Sequence, residues 1–247
     1  MNPITRRSLL AGGVVAAGAA LTAVGRRLGL VPPDARGPWA AGSTLTYAAH
    51  RLFGRHATAR EFPKSMVSAK PFANTVAPPT EAFLAHQAAN FLTWRLDVQG
   101  HVDRPQQFSL ADLRAMEVRS QVTEVACEEG WSYIAEWTGT PLAAVLRACG
   151  VRPTAKYLVY WSSDPNWWDS IDIDEAMHPQ TLMTWGMNGA GLPVPFGGPL
   201  RIRVPRQLGY KSVKYIDRLL VTDTVEGLGD GTGGANYASG YSWYAGI

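Results

Sequence analysis

Cysteine and charge are both scarce in this 247-residue chain. It has only two cysteines, Cys127 and Cys149, and charged residues make up 17% of it, against roughly 25% in an average soluble domain. Two cysteines exclude a cysteine-bound iron–sulfur cluster, and the chain has no C-x-x-C-H haem attachment motif. Hydrophobic residues reach 46%, with 25 Gly and 17 Pro, which argues against disorder or a coiled coil and indicates a loop-rich globular protein.

The small net charge of +3 hides an uneven distribution. Residues 1–80 carry ten Lys and Arg against two acids, a local charge of +8, so the remainder carries −5. Arg6 and Arg7 precede eighteen uncharged residues, Ser8 to Gly25, which resembles a twin-arginine export signal. We therefore expect an exported, periplasmic protein. Eighteen residues barely span a bilayer, so retention as an N-terminal membrane anchor stays open.

Three regions follow from composition. Residues 1–30 are the expected signal segment, and residues 31–80 are an irregular wrapping arm rich in Pro, Gly and Ala, with a short helix near Thr44 to Phe53. Residues 81–247 are expected to form a single mixed domain of the α+β class, because strands and short helices alternate there without a steady βαβ repeat. No internal repeat is present.

Local patterns place the elements of that domain. A helix is expected after Ser109 as N-cap, another with Thr140 as N-cap and Pro141 at its first position, and a hairpin turn at Asn188-Gly189. Alternating or apolar runs predict strands at residues 94–99, 118–126, 157–161, 182–187, 201–204 and 215–222, and a helical turn at 174–178.

The two cysteines differ in their surroundings. Cys149 falls on the apolar stripe of the helix after Thr140, where a small buried hydrophobic residue is expected. Cys127 ends a predicted strand and precedes Glu128-Glu129-Gly130, so it is presented from a turn. It is a candidate nucleophile, soft-metal ligand or half of a disulfide. No histidine or second thiol lies at a telling spacing, so one thiolate suffices for a metal only if a cofactor supplies the other ligands.

Several blocks of this sequence resemble the sulfite-oxidase-like molybdopterin oxidoreductases. They cover roughly Leu96 to Val221, in the order and spacing of that family: Cys127-Glu128-Glu129-Gly130-Trp131-Ser132 with Glu136 to Leu142, Asp174 to Leu182, Met187-Asn188-Gly189, Gly198 to Pro205, and Gly209 to Lys214. The resemblance implies a sulfite-oxidase-like fold, a molybdenum–molybdopterin cofactor and Cys127 as the molybdenum ligand.

The C-terminal block agrees with a phosphate-bearing cofactor. From Leu200 to Ile216 there are five cations and no acid, and strand alternation predicts a basic face formed by Arg201 and Arg203 beside a glycine-containing loop. A solvated edge or a nucleic-acid patch is the alternative, although no nucleic-acid-binding motif accompanies it. The resemblance assigns the cofactor contacts to Arg201, Ser212, Val213, Lys214, Ser162 and His86.

The residues after Cys127 indicate the branch of the family. Sulfite oxidases carry arginine there, whereas this chain has Glu128 and Glu129, as in the periplasmic methionine-sulfoxide-reductase branch. A carboxylate next to the metal repels sulfite and tolerates a neutral sulfoxide. The resemblance therefore implies a sulfoxide reductase working by oxygen-atom transfer, with Cys127 and Glu129 as its catalytic residues. A salt bridge or helix-start acid is the alternative for Glu129. Phe196 stands where that branch has Asn or His, and because it cannot hydrogen-bond the pterin, one cofactor contact is expected to be lost or replaced.

Further expectations concern partners. We expect electrons to be exchanged with a separate redox protein, such as a membrane cytochrome b, because the chain has no haem or iron–sulfur motif of its own. The chain ends soon after Thr222, without the dimerisation domain of sulfite oxidases, so a monomer is expected. A sulfite dehydrogenase-like oxidase and a metal-free secreted binding module on the same fold are the rival functions.

Overall fold

The structure is a computed structural model that describes residues 24–26, 28–37, 40–74, 80–235 and 237–247. The twin arginines and most of the apolar stretch after them lie outside the described residues. Two compact units are present, residues 1–55 and residues 56–247. Within the described part of the first unit, the long helix is α1 (Ala40–Phe53). Among the described residues, no helix combines the length and apolarity needed to cross a bilayer.

The second unit contains two sheets and short helices. Its helices are α2 (Glu81–Ala88), α3 (Leu110–Ala115), α4 (Leu142–Cys149) and α5 (Ile173–Ala176). Its strands are β1 (Leu96–Gly100), β2 (Gln106–Phe108), β3 (Arg119–Ala126), β4 (Ser132–Pro141), β5 (Tyr157–Ser162), β6 (Trp168–Asp172), β7 (Leu182–Met187), β8 (Ala190–Gly191), β9 (Arg201–Arg203) and β10 (Ile216–Thr222). This is the predicted α+β class.

The sheets bring distant parts of the chain side by side. The first has the order β2-β1-β10-β5-β6, in which β1 and β10 are parallel and the other pairs antiparallel. The second has the order β3-β4-β7-β8, with β9 also paired to β7. The end of β3 and strand β9 therefore belong to one sheet although 75 positions separate Cys127 from Ile202.

Local signals set several element ends. Ser109 caps α3 through a capping box, in which its hydroxyl accepts from the Asp112 N–H at 3.1 Å and Asp112 accepts from the Ser109 N–H at 2.8 Å. Asn188 and Gly189 both have positive φ, 52° and 78°, as a two-residue turn between β7 and β8 requires. Both features match the sequence prediction.

One capping prediction was wrong. Thr140 is the ninth residue of β4, and the N-cap of α4 is Pro141, which has no side-chain capping bond. The Thr140 hydroxyl instead donates to the carbonyl oxygen of Leu113 at 2.6 Å. The Thr140 hydroxyl, which the local pattern assigned to capping the helix, is thus used in a tertiary hydrogen bond.

Two apolar clusters fill the second unit. The larger contains the stripe of α4, namely Leu142, Val145, Leu146 and Cys149, packed with β1, β5 and β10. Cys149 is fully buried, as predicted. The smaller contains Val125, Tyr133, Trp137 and Met187, and the partly buried Trp131 and Phe196 pack against it. Because β3 and β4 contribute to this smaller cluster, it supports the turn that carries Cys127.

Acid should destabilise the second unit through His178. This side chain is 5% exposed, and burial, followed by the charge of Arg206, lowers the pKa of His178 to about 4. The folded pKa lies below the unfolded value of about 6.5, so the stabilisation is complete above pH 6.5 and is lost as the pH falls toward 4. We expect the free energy of unfolding to drop by about 2–3 kcal/mol from this group between pH 7 and pH 4.

Urea unfolding of the wild type and His178→Gln at both pH values measures this contribution. The variant should be less stable than the wild type at pH 7 and should lose less stability on acidification. If both proteins lost the same free energy of unfolding between pH 7 and pH 4, His178 would not be the cause of the acid destabilisation.

Candidate active site

A cleft that is open to solvent lies in the second unit. Its lining comes from the ends of separate elements: Cys127 follows β3, Ser162 ends β5, Arg201 begins β9, and Ser212 and Lys214 follow the turn at Gly209–Lys211. Val213 and Glu129 also line it. The fold therefore collects seven of the eight predicted site residues around one cavity.

A tight turn presents Cys127 to this cleft. The Cys127 N–H donates to the carbonyl oxygen of Trp131 at 2.9 Å, and the Gly130 N–H donates to that of Cys127 at 3.1 Å. Gly130 has a φ of 89°, which a residue with a side chain rarely adopts. Both cysteines are free, and Cys149 is buried in the other cluster, so Cys127 is held half-buried with an unbridged sulfur.

Two carboxylates surround that sulfur. The Cys127 Sγ lies 3.2 Å from Glu128 Oε2 and 3.9 Å from Glu129 Oε2. Glu129 Oε2 accepts hydrogen bonds from Trp131 Nε1 at 2.7 Å and Asn74 Nδ2 at 2.9 Å, which fix its position. Burial, with Glu128 and Glu129 adding to it, raises the pKa of Cys127 to about 12. The bare thiol therefore stays protonated, and a bound cation is needed to favour the thiolate.

Two buried arginines lie close together at or near the cleft: Arg201 lines it, and Arg203 does not. Arg201 and Arg203 are 3% and 0% exposed, and their guanidinium carbons lie 5.2 and 5.7 Å from the centroid of the Trp137 ring. In the part of the chain that is described, neither has a carboxylate within salt-bridge distance, and the Nε of each lacks a hydrogen-bond partner. The predicted basic face is thus real but buried, not solvated. Carbonyl oxygens of Phe196 and Ser212 accept from the Nη atoms of Arg201, and that of Glu124 accepts from Arg203. These dipoles satisfy donors without neutralising the two charges, so a bound anion would be favourable here.

Lys214 adds a third positive group. Its Nζ donates to the carbonyl oxygens of Asn74 and Pro195, the latter at 2.7 Å. Burial, followed by the charge of Arg201, lowers the pKa of Lys214 to about 7. A bound anion would offset both causes and keep the ammonium charged.

Ser212 is oriented to donate a hydrogen bond. Its Oγ accepts from Arg203 Nη1 and from the Val204 N–H, both at 3.1 Å. A hydroxyl that accepts twice still has its own proton to donate, and Ser212 lines the cleft. Ser162 Oγ accepts from the Asp164 N–H at 3.0 Å and lines the cleft as well.

These donors fit a metal carried by a phosphate-bearing cofactor. No group of three His, Cys, Asp or Glu side chains able to hold a metal ion exists among the described residues, so a metal needs ligands beyond Cys127. Cys127, Arg201, Lys214 and Ser212 line one cleft, and the buried Nε of Arg201 has no hydrogen-bond partner, although both Nη atoms donate to carbonyl oxygens. A thiol, cations and a hydroxyl around one cavity suit a soft metal carried by an anionic cofactor.

His86 differs from the other predicted residues. It lies on α2, its Nδ1 is 2.8 Å from Thr93 Oγ1, and it does not line the cleft. Its cofactor role stays a prediction. Sequence reasoning missed Phe72 and Asn74, which reach the cleft from the irregular arm, and Tyr215. The segment of Phe72 and Asn74 shows no motif or periodicity. Tyr215 follows the Gly209 to Lys214 block and begins a predicted strand, but that pattern indicates no role at the cleft.

Residues 84–227 match the oxidoreductase molybdopterin-binding domain family, which is more than half of the chain. The chain belongs to this family. It is therefore a molybdopterin-dependent oxidoreductase, with a molybdenum–molybdopterin cofactor. The resemblance derived from the Cys127 and Arg201 blocks is confirmed.

Relatives of this molybdopterin oxidoreductase indicate the branch. A protein of Azospira oryzae with a proposed role as protein-methionine-sulfoxide reductase subunit, YedZ1, is 36% identical over 79% of this chain and 70% of its own length. The protein-methionine-sulfoxide reductase catalytic subunit MsrP of Xanthomonas campestris is 34% identical over 56% of this chain. The chain spans about half the length of that subunit, 47%. The sequence similarity to these two proteins confirms the predicted methionine-sulfoxide-reductase branch of the family.

A solved structure supports the fold. The sulfane dehydrogenase SoxCD of Paracoccus pantotrophus aligns with a TM-score of 0.52 at 22% identity, covering 70% of this chain and 46% of that one. Together with the family match, it confirms the sulfite-oxidase-like α+β architecture predicted from the sequence.

Proposed function

We propose that this molybdopterin oxidoreductase reduces a sulfoxide, with methionine sulfoxide as the substrate class. The observation that carries this proposal is the pair of carboxylates at Cys127, since Glu128 and Glu129 lie 3.2 and 3.9 Å from its sulfur. An anion such as sulfite, approaching a metal bound there, meets two like charges at short range. A neutral sulfoxide meets no such repulsion.

The aromatic wall of the cleft supports the same substrate class. The rings of Phe72 and Trp131 lie 5.1 Å apart, those of Trp131 and Tyr133 6.0 Å, and those of Tyr133 and Phe196 5.9 Å. Such a surface suits the apolar carbons and sulfur of a methionine side chain, because sulfur contacts aromatic ring edges favourably. Phe196 thus packs against Tyr133 in this wall, whereas the Asn or His at its position in the related branch would make a polar contact with the cofactor.

Each side chain has a proposed role. Cys127 is the protein ligand of molybdenum, and Arg201, Ser212, Val213, Lys214 and Ser162 hold the pterin and its phosphate. Glu129, fixed by Trp131 and Asn74, shapes the substrate pocket. The bound cofactor supplies the two-electron exchange of an oxygen atom. Reduction of a sulfoxide to a thioether consumes two electrons and two protons and releases water.

The two electrons require a separate donor, which we propose is a membrane redox protein such as a cytochrome b. MsrP is named as a catalytic subunit, which supports a partner of this kind. We further propose that the chain acts in the periplasm after twin-arginine export, because of Arg6, Arg7 and the uncharged stretch after them. Cell fractionation tests the location.

Steady-state assays of the loaded enzyme test the reaction. With reduced viologen, the enzyme should reduce a peptide containing methionine sulfoxide, and with sulfite and an artificial electron acceptor it should show little turnover. Cys149→Ala, a buried cysteine outside the cleft, should retain the sulfoxide activity. Sulfite-dependent reduction of the acceptor without any sulfoxide reduction would instead establish the sulfite dehydrogenase alternative.

A further inference from the structure

Tyr215 occupies an unusual position directly after Lys214. Its φ is 56°, in the left-handed region that bulky residues rarely adopt. The surrounding backbone holds it there, because its N–H donates to Gly197 at 3.3 Å and its carbonyl oxygen accepts from Ser163 at 2.8 Å. The residue is 5% exposed, so the side chain has a fixed and buried location.

The two ends of this side chain have different surroundings. The ring packs edge-on against Phe83, with centroids 5.2 Å apart. The hydroxyl is buried without a hydrogen-bond partner among the described residues. Buried tyrosine hydroxyls usually have a partner, and an unpaired one costs the desolvation of its polar group. The ring is therefore accounted for by packing, and the hydroxyl is not.

The environment of Tyr215 is that of the cationic side of the cleft. It lines the cleft together with Arg201, Ser212 and Lys214. Burial raises the pKa of Tyr215, while the charge of Arg201 opposes this rise and that of Asp164 adds to it. At neutral pH the phenol is thus a neutral hydrogen-bond donor beside the guanidinium of Arg201, which has no carboxylate within salt-bridge distance among the described residues.

We propose that Tyr215 is a further cofactor-binding residue, whose hydroxyl donates a hydrogen bond to a phosphate oxygen of the bound molybdopterin. The unpartnered donor, its burial and its place beside Arg201 and Ser212 carry this inference. This inference rests on the proposed function, in which Arg201, Ser212 and Lys214 bind the cofactor phosphate. If the hydroxyl had only a structural role, its removal would lower the unfolding temperature of the cofactor-free protein. A hydroxyl that binds only the cofactor would not have this effect.

Tyr215→Phe separates these two roles, since it keeps the ring against Phe83 and deletes only the hydroxyl. We expect the loaded variant to release molybdenum and pterin about ten- to a hundredfold faster than the wild type, as for the loss of one hydrogen bond to a charged group. The cofactor-free full chain should unfold at the same temperature or a higher one, because no partner is lost. Inorganic phosphate should bind the cofactor-free variant more weakly.

Metal analysis and pterin fluorescence after timed desalting measure release, and calorimetry measures phosphate binding. Tyr244→Phe is the matched control, because its hydroxyl lies beside Arg206 and Tyr244 does not line the cleft. It should leave release unchanged. Unchanged release in Tyr215→Phe, unchanged phosphate binding, or a lowered unfolding temperature of its cofactor-free chain would each overturn the assignment.

Arg201→Leu distinguishes this failure from failure of the proposed site. If Arg201→Leu loses the cofactor quickly and Tyr215→Phe does not, only the assignment of Tyr215 fails. If both variants retain it like the wild type, the cofactor phosphate is bound elsewhere. Neither readout uses a substrate, so the identity of the sulfoxide does not affect the result.

Discussion

Cys127→Ser should abolish both molybdenum content and oxidoreductase turnover. Cys127 is the one thiol that lines the cleft, and the described residues provide no other group of metal-binding side chains. A serine hydroxyl is a harder and far less acidic ligand than a thiol, so it replaces the sulfur poorly. Loss of a residue that merely supports a ligand costs about 10- to 100-fold in metal affinity, so loss of the ligand itself should cost more than about a hundredfold.

Metal analysis of Cys127→Ser purified from cells that synthesise the cofactor measures the first effect, and the viologen assay measures the second. Cys149→Ala is the control. Cys149 is fully buried and reached by Gln106 Nε2 at 3.5 Å, so its replacement should lower stability modestly and leave molybdenum bound. A Cys127→Ser protein that holds molybdenum at the wild-type ratio would refute the role of this sulfur.

Lys211→Met should destabilise the second unit by about 3–5 kcal/mol. Lys211 and Asp169 are 0% and 1% exposed, and their Nζ and Oδ1 atoms lie 2.7 Å apart. The ammonium also donates to the carbonyl oxygen of Ser170 at 3.0 Å and to the Tyr237 hydroxyl at 2.9 Å. The substitution leaves the Asp169 carboxylate buried without its cation, which is the costly way to break a buried ion pair.

Urea unfolding of Lys211→Met and of Lys211→Met/Asp169→Asn tests this explanation. The double variant removes both charges and keeps an acceptor for Tyr237, whose hydroxyl lies 2.6 Å from Asp169 Oδ1. It should regain most of the lost stability. A loss below about 1 kcal/mol in the single variant, or an equal loss in both, would contradict the prediction.

The same buried pair links the C-terminal residues to the cofactor side of the cleft. Lys211 directly precedes the Ser212 to Lys214 segment, and Tyr160 donates to its carbonyl oxygen at 2.9 Å. The rings of Tyr237 and Trp243 lie 5.3 and 5.4 Å from its ammonium. The final residues of the chain therefore hold the start of the proposed phosphate-binding segment in place.

Elements with strong local signals were predictable. Strand β7 has the predicted bounds, Leu182 to Met187, and the capping box at Ser109 is as expected, because short-range periodicity and side-chain to backbone bonds fix them. The turn after β3 was also readable from Ala126 to Gly130. Thr140 was misassigned because its hydroxyl binds Leu113, 27 positions away, and no local pattern records such a bond.

The sequence by itself determined the family, the cofactor and seven of the residues that line the cleft, because short motifs around Cys127, Arg201 and Lys214 carry that chemistry locally. Only the tertiary structure decided which way the basic side of β9 faces. Strand alternation separates Arg201 and Arg203 from Ile202, but both faces of this strand are covered, and the arginines are buried against Trp137. The contribution of Asn74 likewise depends on the fold, since its hydrogen bond to Glu129, 55 positions away, leaves no mark on either local sequence. The burial of Tyr215 beside the cleft also results from tertiary packing.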